Sequence, residues 1–356
     1  MTAVILTAAV PTAAALTAAI RTAEVPMTAA RKTQAQGILL TLPTAQNRRT
    51  GGNTADIIQN YLKEENCMRL ENERFCVEIA ELGAELTRIY DRKTETDILW
   101  EGDPVYWKRH SPVLFPNVGK TYRNTVLING VQYPTAQHGF ARDSEFRCIA
   151  SGREKASFLL VSTEDTKEVY PFDFELMVTY VLKEDRIQVM WEVKNPADET
   201  MYFTIGGHPA FRFAEKNEKK SDYLLWFPGK DSLNYILIDL PQAAADPDTV
   251  YELKLEEGYV PVTEEMFEKD AMIFDGGQIE EVWLCHKDRT PYVGLKCQGF
   301  PSFGIWSVKD APFVCLEPWM GRCDDVGFTA ELSEKPGVNK VAGGEKFQQS
   351  YEILIR

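Results

Sequence analysis

Three short segments carry residues whose types and surroundings suit proton transfer. His138 lies in Gln137-His138-Gly139-Phe140-Ala141-Arg142, and His208 lies in Gly206-Gly207-His208-Pro209-Ala210-Phe211. Glu317 lies in Cys315-Leu316-Glu317-Pro318-Trp319-Met320-Gly321. Glycine beside histidine lets backbone or ligand approach closely, and proline fixes the exit from the turn. A glutamate in an apolar, aromatic segment is penalised by desolvation unless it is paired or working, and the same burial makes it a stronger base. Taken singly, each histidine is equally well read as a core residue bonded to a backbone carbonyl. Trp319 suits stacking against a sugar ring, although tryptophan is more often plain core. The other two histidines, His110 and His286, lack such settings and are expected to be structural or superficial.

These side chains need a scaffold, and the pattern around them is that of strands. Phe75-Cys-Val-Glu-Ile and Ser157-Phe-Leu-Leu-Val alternate apolar and polar residues, the signature of half-buried strands. Phe174–Leu182 and Ile187–Val193 flank the polar Lys183-Glu-Asp-Arg186, which predicts an antiparallel hairpin, and Asn195-Pro196 should end it. Further strands are expected near residues 202–205, 223–227, 292–295 and 302–308. The best short helix is at 263–267. Many strands without alternating helices argue for a large antiparallel β-sandwich, an all-β fold, rather than a parallel α/β sheet.

Four segments, in this order, resemble the aldose 1-epimerase (galactose mutarotase-like) family: Ser111-Pro-Val-Leu-Phe-Pro-Asn-Val-Gly119, Gln137–Arg142, Gly206–Phe211 and Cys315–Trp319. The resemblance runs from about Met68 to the C-terminus. It implies a β-supersandwich, a catalytic pair of His208 and Glu317, and His138 as the residue that orients substrate. It also implies Arg142 as a hydroxyl-binding neighbour, with Gln137 and Trp319 beside the sugar. Many relatives carry arginine after the glycine of the first motif. This chain has Lys120, which keeps the charge and loses the planar fork. For the family's further binding aspartate, Asp275 in Ile273-Phe-Asp-Gly-Gly is the candidate.

The implied chemistry is the interconversion of α- and β-anomers of a hexose. Glu317 would take the proton of the C1 hydroxyl while His208 protonates the ring oxygen, and their roles reverse on closure. No cofactor and no metal are needed. Three rivals remain. Lys120, Arg123 and Arg142 could read the phosphate of a hexose 6-phosphate. Two histidines and a glutamate could form a facial triad for a metal. A non-catalytic carbohydrate-binding or sensing module could share the fold.

Bulk properties narrow the partners. The 356-residue chain is 44% hydrophobic and 11% aromatic, enough for a substantial core, and carries a formal charge of −14. An acidic surface disfavours nucleic acid and anionic membranes, and no long uncharged apolar run reads as a membrane helix. Seven cysteines, an odd count without Cys-x-x-Cys spacing, read as reduced thiols in a cytoplasmic protein, acting on a small sugar as a monomer or homodimer.

Residues 1–55 differ from the rest. Repeated Thr-Ala steps, one acid (Glu24) and no aromatic residue read as disordered or weakly helical chain. A secretory signal fits poorly, because no basic residue precedes the apolar part. Patterning begins at Met68, just after Lys63-Glu64-Glu65, which can be encoded AAG-GAG-GAA and so contain the purine run of a bacterial ribosome-binding site. Residues 1–67 are therefore expected to be translated upstream sequence, and 68–356 the catalytic domain.

Overall fold

The computed structural model describes residues 67–356, and the expectations for residues 1–66 lie outside them. Cys67, one position ahead of the expected Met68 boundary, already pairs with Ala80 in the first strand, Cys67–Glu71.

Two large sheets carry the architecture, and every strand pairing within them is antiparallel. The nine-stranded sheet centres on the expected hairpin, Glu175–Leu182 with Arg186–Lys194, in a register that pairs Leu182 with Ile187. Its alternation is literal. Leu176, Val178, Tyr180 and Leu182 turn inward on one strand, and Ile187, Val189, Trp191 and Val193 on the other. Each such side chain contributes roughly 1.5–3 kcal/mol on burial. Asn195 ends the hairpin by donating from Nδ2 to the carbonyls of Glu199 (2.6 Å) and Val341 (2.9 Å), and Pro196 has no N–H to continue the ladder.

The eight-stranded sheet holds Phe313–Met320 near its centre, between Ser302–Trp306 and the short segments Ile205–Gly207 and Ala210–Arg212. Both of its faces are covered, which is why the sequence of this strand is almost continuously apolar. Val314 and Leu316 point into the main core. Phe313 and Cys315 join Trp100, Trp107 and Trp306 in an outer cluster, and Trp319 packs with Leu114 and Val118. Glu317 shares this outer face by the two-residue period of a strand.

The remaining expectations from periodicity hold with shifted edges: Tyr223–Trp226, Pro291–Lys296 and Ser302–Trp306 are strands, and the 202–205 region splits into Met201–Phe203 and Ile205–Gly207. The helix near 263–267 is a single 3₁₀ turn, Glu265–Phe267. A one-turn α-helix, Glu164–Lys167, was not anticipated; Thr163 and Thr166 close a capping box on it. All seven cysteines are unpaired, as expected. Among the described residues, no helix is long and apolar enough to cross a membrane.

Candidate active site

The register of the central strand sets the site. Gly206 pairs with Trp319 and Ala210 with Cys315, so the intervening His208 falls opposite Glu317. Pro209 cannot donate a backbone hydrogen bond, and the ladder breaks there. On the other flank Glu317 faces Gly304. The result is a cross-strand pair in which His208 Nε2 lies 3.3 Å from Glu317 Oε1, with only 7% and 2% of the two side chains exposed.

Glycine is required on both flanks. A Cβ on Gly304 would lie 2.3 Å from the Trp319 ring, and one on Gly206 would lie 2.5 Å from it. Trp319 therefore lies across two glycines as the packed floor of the site. The aromatic face against His208 comes from Trp107, which stacks on the imidazole with ring centroids 4.7 Å apart and planes 26° apart. Trp306 meets the same imidazole edge-on at 5.6 Å. Sequence reading missed Trp107 and Trp306, because neither belongs to a motif or a period that marks it.

His138 arrives from a loop. Its backbone is left-handed, φ 65°, and its N–H donates to Gly119 O at 2.7 Å while Gly119 N–H donates to His138 Nδ1 at 3.1 Å. Accepting at Nδ1 assigns the ring proton to Nε2. Gly139 is also left-handed, and a Cβ there would sit 2.2 Å from Phe115 O, so only glycine brings this loop against the Phe115 backbone. The His138 and His208 rings meet edge-on at 5.5 Å.

The electrostatics follow from burial. Desolvation raises the Glu317 carboxyl well above its usual range, and the negative charge of Asp270 raises it further. Desolvation lowers the His208 imidazole to about 3, and the cationic Arg142 and Arg109 add to the drop. His138 is held well below the ordinary histidine range by burial and by the charges of His208, Arg142 and Arg109. Both shifts favour the uncharged forms of the pair, carboxylic acid and neutral imidazole. His208 Nδ1 and Trp319 Nε1 are buried without a partner in the protein.

Other candidates fall at different distances from this centre. Arg142 donates from Nη2 to Gln137 O (2.7 Å), and its Nε is buried without a hydrogen-bond partner; Arg109 bonds Arg142 O (3.3 Å) and Asp143 (2.7 Å). The exposed Gln137 amide reaches His138 Nε2 at 3.4 Å. Lys120 is half-buried, and its charge acts on Asp270. Asp275 accepts from Ser302 Oγ and from Arg322 Nε, each at 2.7 Å. Arg123 is exposed and sits over the Tyr122 ring at 5.1 Å. The His110 backbone N–H bonds Glu85 at 2.6 Å, and His286 packs on Tyr223. A cavity of about 350 Å³ lies behind the His138 loop, against Asn117, Gly139, Phe140 and Tyr170, and none of His138, His208 or Glu317 lines it.

The antiparallel body of two large sheets is that of galactose mutarotase-like proteins, and here it carries a buried cross-strand pair, Glu317 on the central strand and His208 opposite it. Similarity to known proteins agrees. A profile of the aldose 1-epimerase family matches residues 66–245. The galactose mutarotase related enzyme of Lactobacillus acidophilus superposes with a TM-score of 0.77 at 30% identity, covering 82% of this chain and 97% of that one. A galactose mutarotase-like protein of Lactobacillus casei gives 0.75 at 28% identity, covering 82% of this chain and all (100%) of that one. Protein LacX of Lactococcus lactis is 29% identical over 303 residues, 81% of this chain and 99% of the relative. The chain belongs to the aldose 1-epimerase family, and membership implies a mutarotase-like sugar epimerase.

Proposed function

We propose that the protein is a hexose 1-epimerase in which Glu317 and His208 act as one acid–base unit. The observation that carries this reading is the 3.3 Å contact between His208 Nε2 and Glu317 Oε1 inside a buried, aromatic-walled site. Ring opening needs one group to remove the C1 hydroxyl proton and another to protonate the ring oxygen. A pair with a single proton supplies both. Without sugar, burial favours the neutral form, carboxylic acid and imidazole. The hydroxyls of a bound sugar, with the His138 Nε2–H, supply the hydrogen bonds that make carboxylate and imidazolium tolerable. Glu317 then takes the C1 hydroxyl proton and His208 gives one to the ring oxygen. The aldehyde rotates about C1–C2, and closure returns both protons.

Arg142 and Gln137 hold hydroxyls at the His138 side, and the sugar is the only partner the chemistry calls for. A neutral hexose is favoured over its 6-phosphate, because Asp143 sits on both guanidiniums, 2.7 Å from Arg109 and 3.7 Å from Arg142. Polarimetry on a panel of free and phosphorylated hexoses tests this. Faster relaxation of neutral sugars is expected. A higher kcat/KM for a 6-phosphate, lost in Arg142→Ala, would reverse the substrate assignment, and no acceleration of any sugar would remove the activity.

A further inference from the structure

Cys315 stands two residues before Glu317 on the same face of the central strand, and proton transfer gives it no role. Its Sγ, a Glu317 carboxylate oxygen and a His208 ring nitrogen all lie within 4.8 Å of one another, and all three residues are buried. The three are fixed by the sheet. Cys315 pairs with Ala210, Glu317 stands opposite His208, and Trp306 and Trp107 wall the cluster. Sulfur, nitrogen and oxygen donors converging from adjacent strands form a mixed set that suits a borderline-soft divalent ion. Zn²⁺ takes such donors tetrahedrally at about 2.0–2.3 Å, and three protein ligands leave a fourth position for water or a sugar hydroxyl. His208 Nε2 and Glu317 Oε1 stand 3.3 Å apart, a separation that two ligands of one such ion can span.

We propose that His208, Cys315 and Glu317 form a Zn²⁺ site that switches the enzyme off. Coordination takes the His208 and Glu317 atoms that move protons, so bound zinc and sugar turnover exclude each other. The thiol loses its proton to solvent on binding, and the charge of the ion offsets the burial of the thiolate and the carboxylate. The metal has no part in the epimerisation itself. The binding claim stands on the donor geometry, and the inhibition claim rests also on the acid–base reading above.

Co²⁺ substitution separates the two. Titrating the metal-free protein with Co²⁺ should give the d–d bands of a tetrahedral ion and a thiolate-to-cobalt charge-transfer band, both abolished by stoichiometric Zn²⁺. In Cys315→Ala and Cys315→Ser the charge-transfer band should vanish, mutarotation should persist, and Zn²⁺ inhibition should weaken by more than about 100-fold, because losing a direct ligand costs more than the roughly 10–100-fold of disturbing its outer-shell partners. EDTA should restore zinc-treated wild type and leave the metal-free enzyme unchanged. Absence of saturable Co²⁺ binding, or a charge-transfer band that survives in both Cys315 variants, would overturn the site. Thiolate-bound cobalt that leaves mutarotation at its metal-free rate would overturn the inhibition. A metal-binding protein that never accelerates mutarotation would instead sink the functional reading and leave the site standing.

Discussion

The two faces of strand Phe313–Met320 do opposite things with the same backbone. Its inner face drives Val314 and Leu316 into the core, where both are completely buried. Its outer face buries Glu317 to the same degree beside His208. Burial of Leu316 stabilises the fold. Burial of Glu317 costs stability, because a desolvated carboxyl must hold its proton or find a partner. One strand therefore separates into a face that maintains the sheet and a face that carries a buried carboxyl at a cost in stability.

The largest expected effect breaks one face and spares the other. Glu317→Gln and His208→Asn should each lower kcat by roughly 10²–10⁴-fold. Their thermal melts should show no loss of stability, since each variant removes an ionisable group from a buried position. A Tm that falls sharply in Glu317→Gln would mean that the outer face is also structural. The reciprocal change, Leu316→Ala, should cost about 2–5 kcal/mol on denaturant unfolding while the folded fraction keeps its turnover. If the folded Leu316→Ala protein were inactive, the two faces would not be separable.

A smaller effect concerns pH. On the proposed mechanism the working state holds one proton on the pair, so activity should be lost when a second proton is added and when the last one leaves. Adding the second protonates His208, which burial has lowered to about 3, and removing the last ionises Glu317, which burial has raised. The plateau of kcat/KM should extend below the ordinary histidine range and above the ordinary carboxylate range. Each limb belongs to the pair rather than to one residue. From ordinary side-chain values a carboxylate would set the acid limb and a histidine the basic limb; the directions that burial gives predict the reverse. A basic limb near the ordinary carboxylate value would contradict it. The mildest change is His138→Asn, which should raise KM more than it lowers kcat, as measured by initial rates.

Much of this was legible in the residues. Alternation in Phe174–Val193 fixed a hairpin whose observed register starts at Leu182 and Ile187, because period and turn chemistry are local properties. The short glycine-flanked segments marked His138, His208 and Glu317 for the same reason. What brings them together is not local. The shared register that sets His208 opposite Glu317 depends on a strand more than one hundred residues away, and no spacing announces it. Trp107 reaches His208 from a loop between strands, outside any motif. Asp275 was a candidate by its type alone, and its bonds to Arg322 and Ser302, equally non-local, were not legible either.

The central claim is that Glu317 and His208 share one proton and act as a unit, and a double-mutant cycle in kcat tests it most directly. With turnover followed by polarimetry, the Glu317→Gln/His208→Asn double variant should be about as slow as the slower single variant, because residues acting as a unit are grossly non-additive. Losses that multiply, so that the double variant falls by the product of the two singles, would show two independent groups and contradict the account.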